Sequence, residues 1–187
     1  MFIQTEATPN PATLKFLPGR PVLAQGTLEF LEPEATKDSP LAARLFEIDG
    51  VTGVFLGSDF ISVSKGEGEW QHLKPAILGA IMEHYLSNES ILRDAAEITS
   101  GDDADEFFDE KDASTVTTIK ELIETRVRPA VASDGGDITF KGYRDGVVFL
   151  NMRGACAGCP SSTATLKNGI ENLLRHFVPD VTEVRPV

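Results

Sequence analysis

Cys156 and Cys159 are the only cysteines in the chain, and they stand together in Gly154-Ala155-Cys156-Ala157-Gly158-Cys159-Pro160-Ser161-Ser162. A C-x-x-C spacing suits two kinds of chemistry: thiolate coordination of zinc or an iron–sulfur core, and dithiol redox exchange. An all-cysteine centre takes four sulfurs, and this chain offers two. A stable all-thiolate site must therefore be completed by a second copy, a partner or a small thiol. Pro160 suits the first position of a helix, which makes Cys159 its expected N-cap and places its sulfur where backbone N–H groups and the helix dipole favour a thiolate. The small residues Gly154, Ala155, Ala157 and Gly158 leave room for an inorganic core or a second backbone to come close. Thiolate character serves a metal ligand and a nucleophile alike.

The flanking architecture narrows the choice. A thioredoxin-like site carries its C-x-x-C early and is followed by a further strand, helix and hairpin, whereas only 28 residues follow Cys159 here. Zinc held within one chain fails on ligand count. His176 lies roughly 25 Å along a helix from Cys159 at 1.5 Å per residue, and His72 and His84 belong to the other half of the chain. All three histidines read as ordinary surface or boundary residues. A pair of inert cysteines is the remaining reading, although core packing does not ask for a glycine-flanked pair at a helix start.

The elements that must position this loop are legible as α+β, arranged as two small α/β domains joined by an acidic linker. In residues 1–87, Phe2–Glu6, Thr13–Leu17, Thr27–Leu31, Val51–Leu56 and Phe60–Ser64 carry the β-branched and aromatic enrichment of strands. Ser39-Pro40 opens a helix ending near Gly50. Trp70–Leu86 is a second helix, with Leu73, Ile77, Ile81 and Tyr85 spaced by fours. An antiparallel sheet covered by two helices is expected. In residues 114–187 the order is helix, strand, strand, helix, short strand. Val116, Ile119, Ile123 and Val127 mark the first helix, which Pro129 and Asp134-Gly135-Gly136-Asp137 are expected to end. Ile138–Tyr143 and Val147–Met152 form a hairpin around Arg144-Asp145-Gly146, helix 160–177 follows, and Val181–Arg185 reads as an edge strand. This second core is small, so dimerisation or metal binding would help stabilise it.

Charge divides the chain the same way. Residues 1–87 carry 6 basic and 11 acidic side chains, residues 88–113 carry 2 and 10, and residues 114–187 carry 9 and 8. Within the middle stretch, residues 100–112 hold seven acids against one lysine, which reads as a solvated tether. Phe107 and Phe108 stand in it as a pair that could dock on a partner or simply be tolerated. A net charge of −12 argues against general nucleic-acid binding, and no apolar run is long enough to span a membrane. Met1–Glu6 reads as a strand with no basic leader, and a single cysteine pair favours a reducing compartment. Bacterial cytoplasm is expected, or an organelle matrix for a processed form.

The second half resembles the NifU-like domain of the Nfu iron–sulfur cluster carriers. The matching residues are Arg128-Pro129, Asp134-Gly135-Gly136-Asp137-Ile138, the stretch Gly154–Ser162 and Thr165-Leu166-Lys167-Asn168-Gly169-Ile170. The first half is similar to the Nfu N-terminal domain in Met1–Glu6, Thr8-Pro9-Asn10-Pro11, Leu14-Lys15-Phe16, Pro18-Gly19, Ser39-Pro40-Leu41-Ala42, Phe55-Leu56-Gly57, Asp59-Phe60-Ile61 and Trp70 with Leu73-Lys74-Pro75. The resemblance implies a carrier with no catalytic turnover. It implies that two C-x-x-C loops, one from each chain of a homodimer, hold one [4Fe-4S] cluster through Cys156 and Cys159. The cluster would be received from iron–sulfur assembly proteins and passed to apo-proteins. Since such a cluster with four thiolates carries net negative charge, Arg153 and Lys167 are candidate cations beside it. A thiol–disulfide redox protein and a zinc-bridged interaction module are the alternatives.

Overall fold

In a computed structural model of the 187-residue chain, residues 1–93, 106–157 and 160–187 are described, apart from the side chain of Ser162. The chain divides into two compact units, residues 1–99 and 100–187. Each is α+β with its own core.

The first unit is built on a five-stranded antiparallel sheet in the order β1-β2-β5-β4-β3. Its strands are β1 (Gln4–Ala7), β2 (Thr13–Leu17), β3 (Leu28–Phe30), β4 (Val51–Leu56) and β5 (Ile61–Lys65). Helices α1 (Pro40–Phe46) and α2 (Trp70–Leu86) bury Leu41, Leu45, Leu73, Ile77 and Ile81 in one cluster with Phe16, Val54, Leu56, Ile61 and Val63. Ser39 caps α1 as expected, its hydroxyl accepting from the Ala42 N–H at 3.3 Å with Pro40 at the first helical position. A 3₁₀ segment at Pro33–Asp38 precedes it, which the sequence reading did not contain.

His84 is not the surface or boundary residue expected. It is fully buried near the end of α2, and among the described residues neither ring nitrogen has a hydrogen-bond partner. Its place explains this: on a helix, position 84 lies three residues beyond Ile81 and seven beyond Ile77, so it continues their buried stripe. Tyr85 edges against its ring at 5.7 Å. Arg44, held by Glu83 at 3.1 Å and Glu89 at 3.0 Å, adds a nearby positive charge.

The second unit carries a three-stranded sheet in the order β6-β7-β8, from β6 (Gly136–Arg144), β7 (Val147–Gly154) and β8 (Glu183–Pro186). β6 and β7 are an antiparallel hairpin, whereas β8 pairs with β7 in parallel. Parallel neighbours need a crossover. Helix α5 (Pro160–Phe177) supplies it, so the cysteine loop is the connection between a strand's C-terminal end and the crossover helix. Val116, Ile119, Ile123, Val127, Val131, Ile138, Val148, Leu150, Ile170, Leu174 and Val184 share its core.

The first helical arm does not stop at Pro129. α3 (Ala113–Leu122) runs into a π segment at Ile123–Val127 and on through α4 (Arg128–Ser133). A proline inside an α-helix has no N–H for the carbonyl four residues back and crowds it with its ring. The widened turn relieves this: the Arg128 N–H bonds to the Ile123 carbonyl five residues back, and the chain continues for another turn.

The acidic stretch also differs from a uniformly solvated tether. Residues 94–105 lie outside the described residues, but Glu106–Asp112 belong to the second unit. Phe107 bridges to Gly142 at the edge of β6: its N–H donates to the Lys141 carbonyl at 3.2 Å, and its carbonyl accepts from the Tyr143 N–H at 2.9 Å. Its ring lies 5.1 Å from Phe149 and beneath the Arg144 guanidinium, while Glu106 accepts from Lys120 Nζ at 2.8 Å. Phe107 thus docks within its own unit, while Phe108 is exposed.

Burial of His84 favours its neutral form and lowers its pKa, with Arg44 adding to the effect. The unfolded chain therefore binds a proton that the folded unit resists. Stability of the first unit should begin to fall as pH drops below about 6.5, the ordinary imidazole value, and level off below the folded value. His84→Leu should flatten that dependence and stabilise the unit by about 1–3 kcal/mol at neutral pH by removing two unsatisfied buried nitrogens. Urea unfolding of both proteins between pH 5 and 8 on the order of half-unit steps checks this.

Candidate functional site

The cysteine loop begins where the β6–β7 ladder ends. The antiparallel register sets Gly136 opposite Gly154 and Asp137 opposite Arg153. Two residues with left-handed backbone shape the crossing, Gly135 at φ 82° and Gly154 at φ 64°, a conformation that a side chain disfavours. The Ala155 N–H donates to the Gly135 carbonyl at 3.3 Å, so the start of the loop is stitched to the turn before β6. From the other side, the Thr163 hydroxyl on α5 donates to the Cys156 carbonyl at 3.1 Å.

Cys156 faces inward. Its side chain is part of the second unit's apolar cluster and only 5% exposed. Gly136 makes the room for it: a Cβ there would lie 2.6 Å from Cys156 Sγ, 2.7 Å from the Arg153 carbonyl and 3.1 Å from the Cys156 nitrogen. Burial pushes the Cys156 thiol up to about 12, and the negative charges of Asp134 and Asp137 add to the rise. In this conformation Cys156 is a sheltered, protonated thiol. To ligate a metal it must lose that proton, so loading couples to proton release.

Cys159 and its expected N-cap position lie outside the described residues. The sequence-derived candidates therefore resolve unevenly, with Cys156 placed in the turn after β7 and Cys159 not described. Lys167, one of the two candidate cations, reaches Glu183 at 3.6 Å and is thereby engaged in an ion pair. Arg153 is half-buried on β7 opposite Asp137. His72 and His176 are exposed, as expected of surface histidines. Among the described residues, no three His, Cys, Asp or Glu side chains converge as a metal site. No described helix is long and apolar enough to cross a membrane.

The sequence reading missed the charged pair beneath the loop. Asp137, with a side chain 5% exposed, receives two parallel hydrogen bonds from Arg128, Nε to Oδ1 and Nη2 to Oδ2, both at 2.9 Å. The remaining nitrogen of Arg128, Nη1, reaches both oxygens of Glu124 at 3.0 and 2.8 Å. Asp137 Oδ1 also accepts from the Ile138 N–H at 2.9 Å. The signal available in the sequence was an acid in a glycine turn together with an arginine at the end of a helical stripe, but the two stand nine residues apart with a π segment just before Arg128 that no spacing announces.

Two family models match: "Scaffold protein Nfu/NifU N terminal" over residues 3–88 and "NifU-like domain" over residues 119–185. A human protein named as a mitochondrial NFU1 iron–sulfur cluster scaffold homologue is 48% identical over 189 residues, covering 100% of this chain and 72% of that protein. The chain belongs to the Nfu family. A protein of the same name from Drosophila sechellia is 50% identical over 189 residues, and NifU-like protein 4, mitochondrial, from Arabidopsis thaliana is 48% identical over 187. This Nfu-family chain spans 65% of the length of each of those two relatives. All three relatives are named mitochondrial, so the expectation of bacterial cytoplasm gains no support from them.

Gly136→Ala should displace the cysteine turn, because the new methyl would meet a backbone carbonyl as well as the movable sulfur. A loss of about 1–3 kcal/mol in the stability of the second unit is expected from such overpacking. Urea denaturation followed by circular dichroism would measure it, and an unchanged midpoint would show that the turn yields freely.

Proposed function

We propose that this chain is an iron–sulfur cluster carrier. Two copies would hold one [4Fe-4S] cluster as cargo through Cys156 and Cys159 of each, accept it from iron–sulfur assembly proteins and pass it to apo-proteins. The observation that carries this reading is a half set of thiolates, Cys156 and Cys159, in a chain of the Nfu family whose relatives are named iron–sulfur cluster scaffolds. Four thiolates from two copies complete the coordination that one chain cannot. Nothing in this role requires catalytic turnover: binding and release are the whole of the chemistry. The mitochondrial names of the relatives favour the matrix over bacterial cytoplasm.

The donor chemistry fits the cargo. Thiolates are the ligands iron–sulfur cores take. The proton on the buried Cys156 thiol has to leave, and the thiol has to turn outward, before a second copy can share a core with it. Ligation that must overcome both costs holds cargo less tightly than a preformed open site would, which suits a carrier that gives its cargo up.

The division of labour we assign along the chain is an N-terminal domain over residues 1–87, a cluster-binding domain over residues 114–187 and an acidic linker over residues 88–113, of which Ile91 and Leu92 pack on the core of the first unit and Glu106 and Phe107 on the second. The N-terminal domain acts in recognition or in modulating the dimer. It has no cysteine, and a tether raises the effective concentration of a bound target near the cargo.

Anaerobic reconstitution with iron and sulfide should give brown protein with broad visible absorption and about four irons per dimer. Cys156→Ser and Cys159→Ser should each abolish the colour, measured by absorption and by iron and sulfide analysis. Zinc without iron would support the zinc-bridged alternative, and metal-free disulfide reductase activity the redox one. Deleting residues 1–87 should leave cluster binding intact and slow transfer to some apo-proteins. Equal transfer rates to every target tested would remove the recognition role.

A further inference from the structure

Arg128 touches neither cysteine among the described contacts, yet the geometry around Cys156 leads back to it. The sheltered position of the Cys156 thiol depends on three features of the turn before β6. Gly136 leaves the space, the Gly135 carbonyl holds the Ala155 N–H, and the ladder pairs Gly136 with Gly154. Each of these is backbone of residues 135 and 136, which have no side chains of their own to pin them. The residue that follows them, Asp137, has an anchored side chain, buried and gripped by both prongs of a guanidinium. A fork of this kind fixes direction as well as distance, because both N–H vectors must meet both oxygens.

The grip is itself held in place. Glu124 fixes the third nitrogen of Arg128, and the π segment rotates Arg128 so that its backbone N–H answers Ile123 five residues back. Insertions of this type cost helix regularity and recur at functional sites. Here the return is visible: the helical arm delivers a doubly anchored guanidinium to the base of the cysteine turn.

We propose that Arg128 is a positioning residue which, clamped on Asp137, fixes the Gly135-Gly136 turn as a notch that stows the Cys156 thiol in the cluster-free chain. The meaning of the notch for cluster loading rests on the reading of Cys156 as a ligand, whereas the notch itself does not. Stowing keeps one of the two thiols out of reach of oxidants and stray metals until a second copy and a cluster are present. Release of the turn then exposes it.

Labelling of Cys156 by the disulfide reagent DTNB tests this in the full-length apoprotein, with Cys159→Ser in every sample so that one thiol reports. Arg128→Gln should raise the labelling rate about tenfold or more at fixed pH, the opposite of what loss of a cation alone would do, while far-ultraviolet circular dichroism stays unchanged. Asp137→Asn should raise it at least as much, since it also removes a negative charge that holds the thiol protonated, and the double variant should label no faster than Asp137→Asn alone. Arg128→Lys, which restores charge without the fork, should fall between wild type and Arg128→Gln. Val116→Ala, a core change on the first helical arm, serves as a control for general loosening and should leave the rate within about twofold of the parent. A rate unchanged in Arg128→Gln, or singles that multiply in the double variant, overturns the proposal. Failure of reconstitution with intact Cys156 and Cys159 would instead overturn the ligand reading and leave the notch standing.

Discussion

The pairing of Gly136 with Gly154 across the hairpin is the constraint from which the site follows. It ends the ladder where two backbones can lie close without side chains between them, and it turns the chain so that Cys156 comes back over β6. A shift of one residue toward Asp137 would put its carboxylate opposite Gly154 and bring a side chain toward the space the sulfur occupies. Register in a sheet is fixed by the alternation of buried and exposed residues along its strands. On β6 and β7 that alternation is carried by Ile138, Phe140, Val148, Leu150 and Met152, all buried. The apolar core of the second unit therefore specifies the thiol's position, and the turn residues exploit it.

Much of the frame was legible in the residues alone because its signals are local. Thr13–Leu17, Val51–Leu56 and Trp70–Leu86 fall where β-branched enrichment and apolar spacing put them. The departures share a cause, which is that long-range packing overrode a local signal. Pro129 reads as a helix stop, yet a π turn absorbs it because Val127 and Val131 gain burial by continuing the arm. Residues 106–112 read as tether by charge, yet Phe107 finds an open sheet edge and an aromatic neighbour in Phe149. His84 reads by residue type as a surface histidine, although its spacing from Ile77 and Ile81 is a helical-face signal as plain as theirs, and in the fold position prevails over type.

The site divides in the same way. The glycine-flanked cysteine pair announces itself, and the family resemblance on Arg128-Pro129 and Asp134–Ile138 was available from the order of motifs. What the sequence does not carry is the direction in which a side chain points. The small residues around the loop suggested sulfurs open to an incoming core, whereas Cys156 lies in the apolar cluster under a notch cut by Gly136. The Arg128–Asp137 pair is similarly silent in one dimension. It is nine residues apart, matching neither helix nor strand period, and becomes a contact only through the arm and the turn together.

The parallel placement of β8 has a bearing on how the thiols come to be guarded during synthesis. In chain order both cysteines precede the crossover helix and the strand that it returns to the sheet. Pairing across a crossover is a non-local event, and its cost in loop closure must be met before any contact repays it. A nascent chain therefore presents its thiols before β8 has left the ribosome, and Val184 is absent from the core until it does. The interval between translation of the cysteines and closure of their sheet is thus set by topology rather than by the chemistry of the loop.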